Sequence, residues 1–145
     1  MAIYKKILLA VDLASNAELL CQKAKQMAEL HQAPLSLIHV VEPIVSDSAF
    51  DTIPPLPVDF DDAMFKHARE GLNALAEKYG IDNNMLFLEI GVIKREIIRV
   101  ATEQNIDLII IGSHGRHGVE LLLGSTANAV MHHASCDVLA VRMHQ

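Results

Sequence analysis

Five short apolar runs, separated by stretches of helical period, constrain this chain most. They are YKKILLAV (4–11), LSLIHVV (35–41), MLFLEI (85–90), DLIIIG (107–112) and CDVLAVRM (136–143). A strand with one face in water alternates apolar and polar residues, whereas a strand buried on both faces reads as a nearly unbroken apolar run. Such runs alternating with helices predict an α/β fold: an open parallel sheet wound by right-handed crossovers, with helices on both faces.

The intervening stretches carry the helices. Ser15 and Glu18 stand three apart as a capping box, and Leu20, Ala24, Met27 and Leu30 or His31 follow at helical spacing, with Pro34 expected to end the helix. The segment EPIVSDSAFDTIPPLPVD (42–59) holds four of the five prolines and no sustained period, which predicts a long, mobile connection able to act as a covering flap. From Phe60, the positions Met64, Ala68, Leu72, Leu75 and Tyr79 predict a second helix stopped at Gly80. Gly91 turns the chain into a third, with Ile93, Ile97 and Ala101 on one stripe, and a fourth is expected from roughly Ser125 to Ala134 with Ser125 as its N-cap. No internal repeat is visible.

A length of 145 residues fits one domain, 1–145, with a real core. The longest apolar runs, such as LIII at 108–111, are far too short for a bilayer, and MAIYKKILLAVD lacks the cleavage site of a secretory signal, so a cytoplasmic protein without a membrane partner is expected. Cys21 and Cys136 lie in apolar contexts and read as small buried hydrophobes rather than as a disulfide. A net charge of −6, no tryptophan and few aromatics argue against nucleic acid as a partner. A small anion remains compatible, because backbone amides and helix N-termini bind phosphate without any net positive charge.

Ligands of open α/β sheets bind outside the carboxyl ends of the strands, where the strand order reverses. If strands 1 and 4 are neighbours, as in the order 3-2-1-4-5, Asp12 and Gly112 emerge side by side at that crevice. The stretch GSHGRHGVELLLGST (112–126) then lines it. Gly112, Gly115 and Gly118 suit a backbone with positive φ and exposed amides, and Gly124-Ser125-Thr126 offers unpaired N–H groups, two hydroxyls and the positive end of a helix dipole. Together they form an anion cradle in two parts, beside which Arg116 and His117 could contact phosphate. Asp12 could accept from an adenine amino group or a ribose hydroxyl. The alternative is a plain turn followed by a routine cap.

Other chemistry is poorly supported. Neither GxxxxGK[ST] nor GxGxxG occurs, and a nucleophile elbow at Ser113 fails because position 111 is isoleucine. His114 and His117 lack a third nearby ligand for a metal, Cys136 lacks a base, and His132 and His133 suit the C-terminal dipole of a helix.

Taken together, KKILLAVD, LSLIHVVEP, GSHGRHGVELLLGSTANAV and CDVLAVR resemble the universal stress protein family over nearly the whole chain. The resemblance implies a Rossmann-like five-stranded sheet in the order 3-2-1-4-5, a cytoplasmic role in stress response and homodimers paired through the last strand. The nucleotide-binding branch uses Gly-x-x-Gly, a spacer of nine, then Gly-Ser/Thr. Similarity to it would place the phosphates of ATP or AMP on Gly112, Gly115, Gly124, Ser125 and Thr126, with Mg²⁺ entering through those phosphates, and would assign Asp12 and Val40 to adenine and ribose. Here the spacer, 116–123, has eight residues, and one residue fewer turns a helix by about 100° and shortens it by about 1.5 Å. Ala10 stands where some binders have proline. No general base for attack on a γ-phosphate is evident, so slow hydrolysis is the most to expect. The expected activity is therefore a nucleotide-dependent dimeric switch that alters a surface read by protein partners. The alternatives are a dimeric scaffold whose glycine loop is structural and, third, a phosphohydrolase.

Overall fold

The computed structural model describes residues 3–13, 17–43, 58–113 and 124–143, with backbone alone at 58–61. The expectations for Ser15, for residues 44–57 of the proline-rich connection, and for His114, Gly115, Arg116, His117 and Gly118 lie outside the described residues.

Among the described residues, five strands alternate with four α-helices: β1 (Ile7–Ala10), α1 (Ala17–His31), β2 (Leu35–Val41), α2 (Val58–Tyr79), β3 (Leu86–Ile90), α3 (Ile93–Glu103), β4 (Leu108–Gly112), α4 (Ser125–His133) and β5 (Asp137–Val141). The sheet runs β3-β2-β1-β4-β5, and every neighbouring pair is parallel. The chain thus builds outward through β2 and β3, then returns to the other side of β1 for β4 and β5. That reversal sets the carboxyl ends of β1 and β4 beside each other, in a register from Ile7↔Leu108 to Leu9↔Ile110.

Alternate residues of each strand serve different faces. Ile7, Leu9, Leu37, Leu108 and Ile110 pack with Leu20, Cys21, Ala24, Ala68 and Leu72 of α1 and α2. Leu8, Ile38, Ile109 and Ile111 pack with Ile97, Val100, Ala101 and Val130 of α3 and α4. Both faces are therefore covered, which is why the strands read as continuous apolar runs. Burial of one such side chain contributes about 1.5–3 kcal/mol.

The element ends differ from the sequence pattern where side chains intervene. β1 begins at Ile7 rather than at 4, because the backbone N–H groups of Lys5 and Lys6 donate to the Asp107 carboxylate at 2.8 and 3.0 Å instead of to a strand. α1 stops before Pro34: Gln32 takes left-handed backbone (φ 53), and Ala33 N–H donates back to the Ala28 carbonyl at 2.9 Å. Of the two candidates for the last inward position, His31 packs edge-on against Tyr4 while Leu30 is 75% exposed. α2 starts at Val58, two residues before Phe60, and ends as expected at Gly80 with φ 67. β5 is confined to Asp137–Val141, leaving Cys136 half-buried just before it, whereas Cys21 is fully buried; both are free thiols. Among the described residues, no helix is long and apolar enough to cross a membrane.

Candidate functional site

At the carboxyl ends of the strands lies a cleft of about 950 Å³. It brings together Asp12 after β1, Val40 of β2, Gly112 of β4, and Gly124, Ser125 and Thr126 at the start of α4. These six residues, separated by more than a hundred positions in sequence, all face one hollow. Its wall on the α2 side is formed by Ala63, Met64, His67, Ala68 and Gly71, and Ile93 and Ile97 close it from α3.

The two halves of the glycine motif are physically joined. Ser113 N–H donates to the Val141 carbonyl at 2.8 Å, continuing the β4–β5 pairing, and Gly124 N–H donates to the Ser113 carbonyl. The chain therefore leaves β4 and enters α4 at adjacent points, whatever the path between. Gly124, not Ser125, is the N-cap (φ −58, ψ 151), so Ser125 is the first helical residue. The first helical bond runs from Asn128 N–H to the Gly124 carbonyl at 2.9 Å. The amides of Ser125, Thr126 and Ala127 precede it and have no carbonyl within the helix to donate to; all three residues line the cleft. With the positive end of the helix dipole, this wall suits an anion.

Gly112 does not have the positive φ expected of it. Among the described glycines only Gly80 and Gly91 have positive φ. Gly112 is ordinary strand, but a Cβ there would stand 3.2 Å from Met143 Cγ and 3.4 Å from Leu20 Cδ1. Side chains from α1 and from the residues after β5, rather than backbone conformation, are what a larger residue here would crowd.

The lining also carries polar and acidic groups: Asp12, which is exposed, Glu42, His39 and His67. Among the described lining residues there is no lysine or arginine, so the neutral amides and hydroxyls of the α4 terminus are what this part of the wall offers an anion. The Ser113 hydroxyl is buried without a hydrogen-bond partner among the described residues. Cys21 lies deep in the core, where burial, assisted by the Glu18 charge, pushes its thiol up to about 11, and burial likewise raises Cys136. Both shifts disfavour the thiolate, the nucleophilic form. Among the described residues, no group of three or more His, Cys, Asp or Glu side chains could hold a metal ion. His132 and His133 occupy the exposed last turn of α4, where a positive charge would meet the negative end of its dipole.

The sequence pattern missed His39, His67, Gly71 and Met143 as cleft residues. A signal existed for the α2 group: Met64, His67, Ala68 and Gly71 continue one stripe toward the open end of the sheet, where its apolar character gives way to a histidine and a glycine. Met143 lies past the last strand and gives no comparable sign.

A parallel sheet in this order, wound on both sides and opening a cleft at its point of reversal, defines the Rossmann-like α/β class. Residues 3–142 match the family model of the universal stress protein family. Universal stress protein A homolog 2 of Coxiella burnetii is 43% identical over 141 residues, covering 97% of this chain and 96% of that protein. The solved structure of universal stress protein UspA from Lactobacillus plantarum superposes with a TM-score of 0.73 at 27% identity, covering 99% of this chain and 100% of that one. A universal stress protein solved in complex with cAMP shares the fold, with a TM-score of 0.62 at 20% identity over 95% of this chain and 96% of the other. The chain belongs to the universal stress protein family.

Proposed function

We propose that this protein binds an adenine nucleotide, ATP or AMP, in the cleft at the carboxyl ends of β1, β2 and β4, and acts in stress response through binding rather than turnover. One observation carries the reading: Asp12, Val40, Gly112, Gly124, Ser125 and Thr126 line a single cleft of about 950 Å³, large enough for a nucleotide. In this reading the amides and hydroxyls of Ser125 and Thr126 receive phosphate oxygens, while Asp12 accepts from the nucleoside. Gly115, Arg116 and His117 complete the phosphate side, and Mg²⁺ arrives with the phosphates of ATP. A relative of the same fold that was solved with cAMP is consistent with a nucleotide here. The unit at work is the 1–145 domain, in the cytoplasm, paired with a second copy through β5, whose outer edge otherwise presents unpaired backbone groups.

A second reading has its own support. Met143 and Leu20 stand close to Gly112, so a small residue at this position suits a pure scaffold as well. Titration calorimetry with AMP and Mg-ATP separates the two. The nucleotide reading predicts measurable heat for wild type and a loss of affinity in Thr126→Val, which keeps the side-chain shape and removes the hydroxyl. No heat and no thermal shift at millimolar ligand would leave the scaffold.

A further inference from the structure

Three consecutive residues carry the chain out of β1 into the cleft, and both neighbours of Asp12 are anchored. On the near side, the β1–β2 register ends at Ala10↔Ile38, and His39, the next residue of β2, turns its ring to Val11: His39 Nδ1 lies 2.7 Å from the Val11 carbonyl. A carbonyl oxygen only accepts, so Nδ1 must carry the proton and donate. The ring thereby continues, with a side chain, the cross-strand bonding that the ladder gives up.

On the far side, Leu13 takes φ 61, a left-handed conformation that a leucine adopts at a cost and keeps only where its surroundings enforce it. Its side chain lies against α2 at Gly71, where an added Cβ would stand 3.3 Å from Leu13 Cδ1. Glycine in the interior of a long helix is itself unfavourable relative to alanine. Two local preferences are thus unmet at one contact, where the missing side chain of Gly71 leaves room for that of Leu13. His39, Leu13 and Gly71 all line the cleft that Asp12 enters.

We propose that His39 on one side and the Leu13–Gly71 contact on the other form a two-point clamp on the exit from β1, positioning Asp12 toward the occupant of the cleft. The clamp rests on the nucleotide reading for its ligand-bound measurements, and is also tested without ligand. Asparagine places an amide N–H near the position of Nδ1, whereas glutamine reaches the position of Nε2 and leaves the Val11 carbonyl without its donor. In the full chain, His39→Asn is expected to bind AMP more tightly than His39→Gln by roughly two- to tenfold, the worth of one hydrogen bond. Equal affinities would overturn the role of His39. Gly71→Ala is expected to hold or raise the melting temperature, through better helix propensity, while weakening AMP binding roughly fivefold or more as Leu13 is displaced. A lower melting temperature with unchanged affinity would reduce Gly71 to packing and overturn the α2 half of the clamp.

The ligand-free test is the imidazole ¹H–¹⁵N spectrum of the unmutated chain at mildly alkaline pH. His39 should show a protonated Nδ1 and an unprotonated Nε2, and the Asp12 and Leu13 amides should exchange more slowly in His39→Asn than in His39→Gln. The opposite tautomer, or equal exchange, would overturn the clamp whether or not nucleotide binds. If wild type binds neither AMP nor ATP while these signatures appear, the nucleotide reading fails and the clamp stands.

Discussion

Valine at Gly112 measures how tightly the floor of the cleft is packed. Its Cβ alone would come to 3.2 Å from Met143 Cγ and 3.5 Å from Met143 Sδ, and two further methyl groups would follow. Overpacking of this kind costs about 1–3 kcal/mol. The backbone at 112 is ordinary strand, so no penalty for φ is added, and part of the cost is offset by the smaller entropy of the unfolded chain, about 0.4–1 kcal/mol on the scale for glycine to alanine. A net loss near 1.5 kcal/mol is expected. At roughly 2.1 cal/mol/K per residue over 145 residues, this lowers Tm by about 5 °C. Gly112→Ala should be far milder, because the flexible Met143 side chain need yield only a few tenths of an ångström. Urea unfolding of Gly112→Val, Met143→Ala and the double variant completes a cycle in which truncating Met143 should recover about 0.5–2 kcal/mol. Additivity in that cycle, or a wild-type midpoint for Gly112→Val, would refute the account of why glycine stands there.

Other expectations follow from the same packing. Leu72→Ala removes a fully buried side chain between α2 and the sheet and should cost about 2–5 kcal/mol by urea unfolding; a loss under about 1 kcal/mol would contradict its place in the core. Ser113→Ala deletes a buried hydroxyl that has no hydrogen-bond partner among the described residues, so stability should hold or rise by up to about 1 kcal/mol, and a clear loss would reveal a partner. The Cys21 thiol, ordinarily near 9.0, is raised to about 11 in the folded protein. The unfolded chain therefore loses this proton first, and the contribution to stability, complete below about pH 9, falls by about 1.4 kcal/mol per pH unit toward pH 11. Cys21→Ala should lack this alkaline decline, and an unchanged slope would exclude Cys21 as its source.

The order of elements was legible because burial on both faces of a parallel sheet leaves unbroken runs such as LIII at 108–111, which little else in a short chain produces. Element ends were less legible where a distant side chain decides them: Asp107 takes the amides before β1, and nothing near Lys5 or Lys6 in sequence announces it. The same holds in the cleft. Asp12, Gly112 and the Gly124-Ser125-Thr126 corner stand at strand and helix ends, so their convergence follows once β1 and β4 are neighbours. Positive φ was wrongly expected at Gly112, while its closeness to Leu20 and Met143 is tertiary and has no local sign. His39 was passed over for a related cause: within LSLIHVV it reads as one polar residue in a buried strand, and its bond to Val11 exists only across the sheet.

The most direct test of the account is a ¹H–¹⁵N titration of the full chain with AMP and with Mg-ATP. The predicted result is saturable shifts in the amides of Gly112, Gly124, Ser125 and Thr126 together with Asp12 and Val40, and little change along the amino ends of the strands. Spectra that stay unmoved at millimolar nucleotide, or shifts that cluster away from the carboxyl ends of β1 and β4, would contradict it.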